Sequence, residues 1–144
     1  VERSSVETAK STMDDGPRRL AGLRILVAED VEINREIMQE ILTDMGAYPT
    51  LVTNGKEAVD AVRSQGSGAF DVVLMDIQMP VMNGHQATRE IRAIAPDLPV
   101  IGQTAHALAE ERKACLASGM VAHISKPIDP DKLATLILQN TKNT

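Results

Sequence analysis

From residue 23 onward, short apolar runs alternate with stretches whose apolar residues recur at helical spacing. Residues 23–28 (LRILVA) are an apolar run without strand alternation, as expected of a strand covered on both faces. Ile33, Ile37, Ile41 and Leu42 then repeat with helical period, and Gly46 supplies a stop. Residues 49–53 (PTLVT) predict a weaker strand, whose Pro49 suits a sheet edge where a missing donor is tolerated. Asn54 can cap a helix that runs through Ala58, Val59 and Val62 to the glycine loop at 66–68. Residues 70–75 (FDVVLM) predict a central strand, and the loop 76–83 leads to a helix carrying Ala87, Ile91 and Ile94. Pro96 and Pro99 bracket a turn into a strand over 100–103, and a helix over 108–117 follows, closed by Gly119. A short strand over 121–125 precedes a last helix, opened by Pro130 and carrying Leu133, Leu136 and Ile137 on one face.

Five strand–helix pairs in alternation predict an α/β domain with a parallel sheet covered on both faces. Right-handed crossovers make it doubly wound, and the expected arrangement is flavodoxin-like, with five strands in the order 2-1-3-4-5. In such sheets the working site lies outside the carboxyl ends of the strands. Those ends carry Glu29 and Asp30, then Asp76, then Thr104, then Lys126 followed by Pro127. Three carboxylates converging on one edge repel one another unless a cation joins them. Their hard oxygen ligands suit Mg²⁺. A lysine and a hydroxyl facing the same point can bind the oxygens of a phosphoryl group. Asp76, on the central strand, is the best-placed nucleophile. Its attack gives an acyl phosphate, a mixed anhydride suited to onward transfer or hydrolysis.

Composition narrows the partners. A formal charge of -5, no Trp and only one Phe and one Tyr argue against nucleic acid, which calls for basic patches and stacking rings. A single Cys cannot form an internal disulfide, which fits a reducing, cytoplasmic setting. No apolar run is long enough to span a bilayer and no signal-peptide pattern opens the chain, so no direct membrane contact is expected. Residues 1–22 are rich in Ser, Thr and charge and include the breaker cluster Asp14-Asp15-Gly16-Pro17. They are expected to be a linker or disordered tail, with one domain over 23–144. This tail and the initial Val suggest a piece of a longer protein.

The stretches ILVAED (25–30), VLMDIQMPVMNG (73–84), QTAHA (103–107) and SKPID (125–129) fall in one order along the chain. With them, the chain from about residue 23 to its end resembles the receiver domains of two-component response regulators. The resemblance implies that Glu29 and Asp30 organise Mg²⁺, that Asp76 is phosphorylated, and that Gln78 offers the metal its backbone carbonyl. It makes Thr104 the switch hydroxyl and Lys126 its partner on the phosphoryl group. It also implies a cis bond between Lys126 and Pro127, and a switch position at His123, where the family often has Tyr or Phe. The side chains of Gln78 and His106 would flank the phosphorylation site. The phosphoryl donor would be a histidine kinase or histidine phosphotransfer domain docking near the first helix, at Val31, Ile33, Asn34 and Ile37. Phosphorylation would shift the surface made by the fourth helix, fifth strand and last helix.

The segments AHALAEERKACLASGM and SKPIDPDKL look like receivers attached to hybrid histidine kinases. The parent protein is then expected to be a kinase, while the domain promotes its own phosphoryl transfer and dephosphorylation. Glu29 stands where many members have Asp. Asn83-Gly84 replaces a common Asp-Gly and is read as a turn needing positive φ. His85 has no neighbour at metal-ligand spacing, and Cys115 reads as an inert packed thiol. Two other classes compete. A pseudo-receiver that is never phosphorylated is opposed by intact Asp30, Asp76, Thr104 and Lys126. A haloacid-dehalogenase-like phosphatase also uses an Asp nucleophile with Mg²⁺, but needs a second acid where this chain has Gln78. A flavin-binding flavodoxin-like domain fits worse, because the acidic loop after the first strand would repel a phosphate.

Overall fold

Apolar runs become strands and periodic stretches become helices in the computed structural model, which describes residues 19–79, 81–105 and 109–141. The strands are β1 (Arg24–Ala28), β2 (Tyr48–Val52), β3 (Val72–Asp76), β4 (Val100–Thr104) and β5 (Ala122–Ser125). The helices are α1 (Glu32–Asp44), α2 (Gly55–Gln65), α3 (Gly84–Ile94), α4 (Ala109–Ser118) and α5 (Pro130–Thr141). The strands form one parallel sheet in the order β2-β1-β3-β4-β5. Pro49 therefore lies on an edge strand, where its missing N–H breaks no ladder.

Alternation along the strands sorts the core into two layers. Leu26, Ala28, Val73, Met75 and Val100 pack against α2, α3 and Cys115 of α4. Ile25, Val27, Leu74, Ile101 and Ile124 face the other way, onto Met38 and Leu42 of α1 and Leu133, Ala134 and Ile137 of α5. Both layers are aliphatic and sulfur-rich, because the chain has almost no rings to place in them. On α1 the core row is Met38 and Leu42, whereas Ile33 and Ile37 of the expected apolar repeat are exposed.

Local signals act as their chemistry dictates. Asn54 Oδ1 accepts from the Glu57 amide at 2.8 Å, while Glu57 Oε1 accepts from Thr53 N at 2.7 Å, a reciprocal cap on α2. Asn83-Gly84 departs from expectation. Asn83 has φ -74° and caps α3 by accepting from Gln86 N at 2.9 Å, and the positive φ of that loop belongs to Val81. Gly84 is needed for closeness instead: a Cβ there would lie 2.3 Å from the Asp76 carbonyl oxygen. The turn thus brings the start of α3 directly against the end of β3.

Arg19 to Gly22 fall within the expected tail, yet Leu20 is fully buried beside Met45 and Ala47. Its amide donates to Met45 O and that of Gly22 to Gly46 O, both at 3.0 Å. The packed unit thus reaches back at least to Leu20, because an apolar side chain there closes the open end of the α1 layer. Residues 1–18 of the expected tail, and His106, lie outside the described residues. Leu20→Ala should lower unfolding free energy by about 2–4 kcal/mol, the usual cost of emptying a buried leucine site. Urea denaturation of the two chains measures this, and an unchanged midpoint would show that Leu20 is not part of the folded unit.

Candidate phosphoryl-transfer site

β1 and β3 are neighbours and β5 lies one strand beyond, across β4, yet the residues that leave these three strands converge. Glu29 follows β1 and is completely buried; Asp76 closes β3 and is 6% exposed. Lys126 follows β5 and extends its ammonium between them, 3.1 Å from Glu29 Oε1 and 3.3 Å from Asp76 Oδ2. Glu29 is fixed further by the Val31 amide, which donates to Oε2 at 3.2 Å, and by Asn34 Nδ2 at 3.5 Å. Arg35 donates to the Glu29 carbonyl at 2.9 Å. The start of α1 is therefore tied to the carboxylate rather than merely adjacent to it.

Asp30 sits partly exposed at the mouth. One oxygen each of Glu29, Asp30 and Asp76 lie within 4.8 Å of one another. Three hard anionic donors at that spacing, one open to water, fit a divalent cation that keeps part of its hydration shell. Burial raises the Asp76 carboxyl to about 7, helped by the Glu29 charge and opposed by Lys126. Burial also works to lower Lys126, but the Asp76 and Glu29 carboxylates outweigh it and hold the ammonium above its usual range.

Asp30, Asp76, Gln78, Gln103, Thr104 and Lys126 line a cavity of about 200 Å³ at this edge. Thr104 ends β4, is nearly buried, and its carbonyl accepts from the Lys126 amide at 2.8 Å. Gln78 is exposed on the loop after β3. The Lys126-Pro127 bond is cis. His123 stands in the middle of β5, paired with Gly102, half-buried and away from the carboxylates. Val31, Ile33 and Ile37 are 44%, 58% and 46% exposed, whereas Asn34 turns its amide inward to Glu29.

Two features escaped the sequence reading. His85, which had no ligand neighbour in sequence, lies 3.1 Å from Ser118 Oγ and 3.4 Å from Glu111 Oε2, joining α3 to α4. Gln103 is 1% exposed, and its Nε2 has no hydrogen-bond partner among the described residues. A long polar side chain inside a fully buried strand was the available signal for it. Cys115 is buried as expected, and burial pushes its thiol up. Among the described residues no helix is long and apolar enough to cross a membrane.

The family model described as the response regulator receiver domain matches residues 25–138. The chain is 43% identical over 123 residues to the sensor protein GacS of Pseudomonas syringae pv. syringae, covering 82% of this chain but only 13% of that protein. Among solved structures it resembles the receiver domain of sensor histidine kinase PA1611 from Pseudomonas aeruginosa, which holds a magnesium ion in its active-site cleft. The identity is 36%, the TM-score 0.76, and the match covers 84% of this chain and 98% of that one. It also resembles the receiver domain of Ssk1 from Saccharomyces cerevisiae, crystallised with the histidine phosphotransfer protein Ypd1. Here the identity is 26% and the TM-score 0.76, with 83% and 88% covered.

An acid near 7 in the folded chain but near 3.8 when unfolded makes the fold less stable as pH rises between those values. Asp76→Asn should therefore unfold at higher urea than the wild type at pH 8 without divalent cation, by roughly 1–3 kcal/mol. The gain should shrink at pH 5, where the folded Asp76 is already protonated. A difference that does not change with pH would show that Asp76 carries no such strain.

Proposed function

Because the chain belongs to the response regulator receiver domain family, we propose that Asp76 is its phosphoacceptor in a phosphorelay. The observation that carries this is the triad of Glu29, Asp76 and Lys126, with the lysine 3.1 Å and 3.3 Å from the two carboxylates. Asp76 Oδ attacks the phosphorus of a phosphohistidine. A new P–O bond forms as the P–N bond breaks, and its electron pair stays on the imidazole. Lys126 is already within reach of the reacting oxygen and can follow the charge onto the phosphoryl oxygens, where the Thr104 hydroxyl joins it. Phosphorylation adds a doubly charged group, so these two contacts strengthen and pull on β4 and β5. That pull is the route to the α4, β5 and α5 surface, with His123 on β5 between them.

Glu29, Asp30 and Asp76 would hold Mg²⁺, with the Gln78 carbonyl as a further ligand. When bound, the ion neutralises the converged carboxylates and the charge of the incoming phosphoryl group. Val31, Ile33 and Ile37 form an apolar, exposed strip beside the site, suited to the helical donor domain that brings the phosphohistidine. Asn34 serves Glu29 instead of that strip. The chain spans 13% of the GacS relative it matches, and we assign it to a hybrid histidine kinase as one receiver among other domains, in the cytoplasm.

Incubation with acetyl phosphate and Mg²⁺, followed by intact-mass measurement, should add one phosphoryl group to the wild type and none to Asp76→Ala. Removing divalent cation with a chelator should abolish the adduct. Equal labelling of both chains, or none of either, would defeat the assignment.

A further inference from the structure

β4 carries a buried polar side chain, Gln103, which is 1% exposed. Gln103 is in register with Asp76 on β3 and with Ile124 on β5. Register partners in a parallel sheet project to the same face, so the Gln103 side chain leaves the sheet beside that of Asp76. Lys126 lies two residues beyond Ile124 and its ammonium reaches Asp76, and Gln103 lines the same cavity as these two residues. Its Nε2 is, among the described residues, the buried side-chain nitrogen or oxygen left without a partner. A buried amide donor normally costs stability unless it is bonded. Asp76 Oδ2, the acceptor nearest in register, is held by Lys126 in this state.

We propose that Gln103 is a positioning residue of the phosphoryl site, whose amide donates to the Asp76 carboxyl once Lys126 is drawn away to the phosphoryl oxygens. This rests on the phosphoacceptor reading of Asp76 and deepens it. In hydrolysis of the acyl phosphate, a water oxygen forms a new bond to phosphorus and the P–Oδ bond breaks. Its electron pair returns to the Asp76 carboxylate, and the water proton leaves with inorganic phosphate. Negative charge therefore grows on the Asp76 oxygens in the transition state, and a donor beside them stabilises it more than it stabilises the uncharged acyl group. Gln103 thus shortens the life of the phosphorylated state. Its place in register with the leaving carboxylate separates this effect from any group that orients the attacking water on the far side of the phosphorus.

Gln103→Met keeps the length of the side chain and removes the amide. Wild type and variant are loaded with acetyl phosphate and Mg²⁺, the donor is removed, and loss of the adduct is followed by intact mass. The variant adduct should last roughly three- to tenfold longer, the worth of one hydrogen bond made in the transition state. A loosened site would instead load more slowly or lose phosphate faster, so the direction of the change distinguishes positioning from damage. Thermal unfolding of the unphosphorylated chains gives the second readout: the variant should melt at a higher temperature, because the unpaired donor is gone. Equal or shorter adduct lifetimes, or a lower melting temperature, overturn the inference while leaving Asp76 as the phosphoacceptor. Absence of any adduct on the wild type overturns both.

Discussion

Two carboxylates, Glu29 and Asp76, are buried at one edge of the sheet, and a single ammonium stands between them. Loss of hydration, with their mutual repulsion added, exceeds what one lysine restores, which is why Asp76 is pushed up to about 7. The site is thus short of positive charge. It can be relieved by a proton, by a divalent cation shared with Asp30, or by turning one carboxylate into a neutral acyl group. The last of these removes a charge from Asp76 and creates new charge farther out, where Lys126 and Thr104 can meet it. The same deficit that costs stability makes the aspartate responsive.

The fold makes that deficit durable. Glu29, Asp76 and Lys126 leave the ends of three parallel strands whose other residues fill two aliphatic layers, so the backbone that carries them is held in place by the ladder. Gly84 holds the first turn of α3 against the Asp76 carbonyl, and the Val31 amide and Asn34 fix Glu29 from α1. Rigid strands hold the reacting groups while the loops around them stay open to a partner. β4 and β5 connect the site to the far surface through the Lys126 amide bonded to the Thr104 carbonyl. Under the proposed function, a phosphoryl group on Asp76 would act on β4 and β5 through this coupled backbone.

Much of this was legible in the linear chain. Unbroken aliphatic runs, helical spacing, Asn54 and Pro130 predicted the elements, because strands buried on both faces and capped helices leave strong local patterns. The acids, hydroxyl and lysine at the strand ends stood out because solvated loops have no reason to share one edge. Other features left weaker traces. Leu20 looked like part of a polar tail, since a single apolar residue has no periodicity to announce it. Asn83-Gly84 looked like a positive-φ turn, although its actual constraint is the nearness of another segment. Ile33 and Ile37 kept helical spacing yet face solvent, because periodicity finds an apolar row without saying which row meets the sheet.

Sequence by itself thus determined the order of strands and helices, the two-sided burial of the sheet and the inventory of reactive groups at its carboxyl edge. These depend on local pattern and on the handedness of crossovers, which act over short stretches of chain. Tertiary structure alone decided that Lys126 bridges Glu29 and Asp76 across 97 and 50 residues of chain, that Asn34 faces inward, that His85 joins α3 to α4, and that Gln103 Nε2, in register with the aspartate, has no partner among the described residues. Distances and desolvation between segments remote in sequence set those outcomes, and no local pattern encodes them.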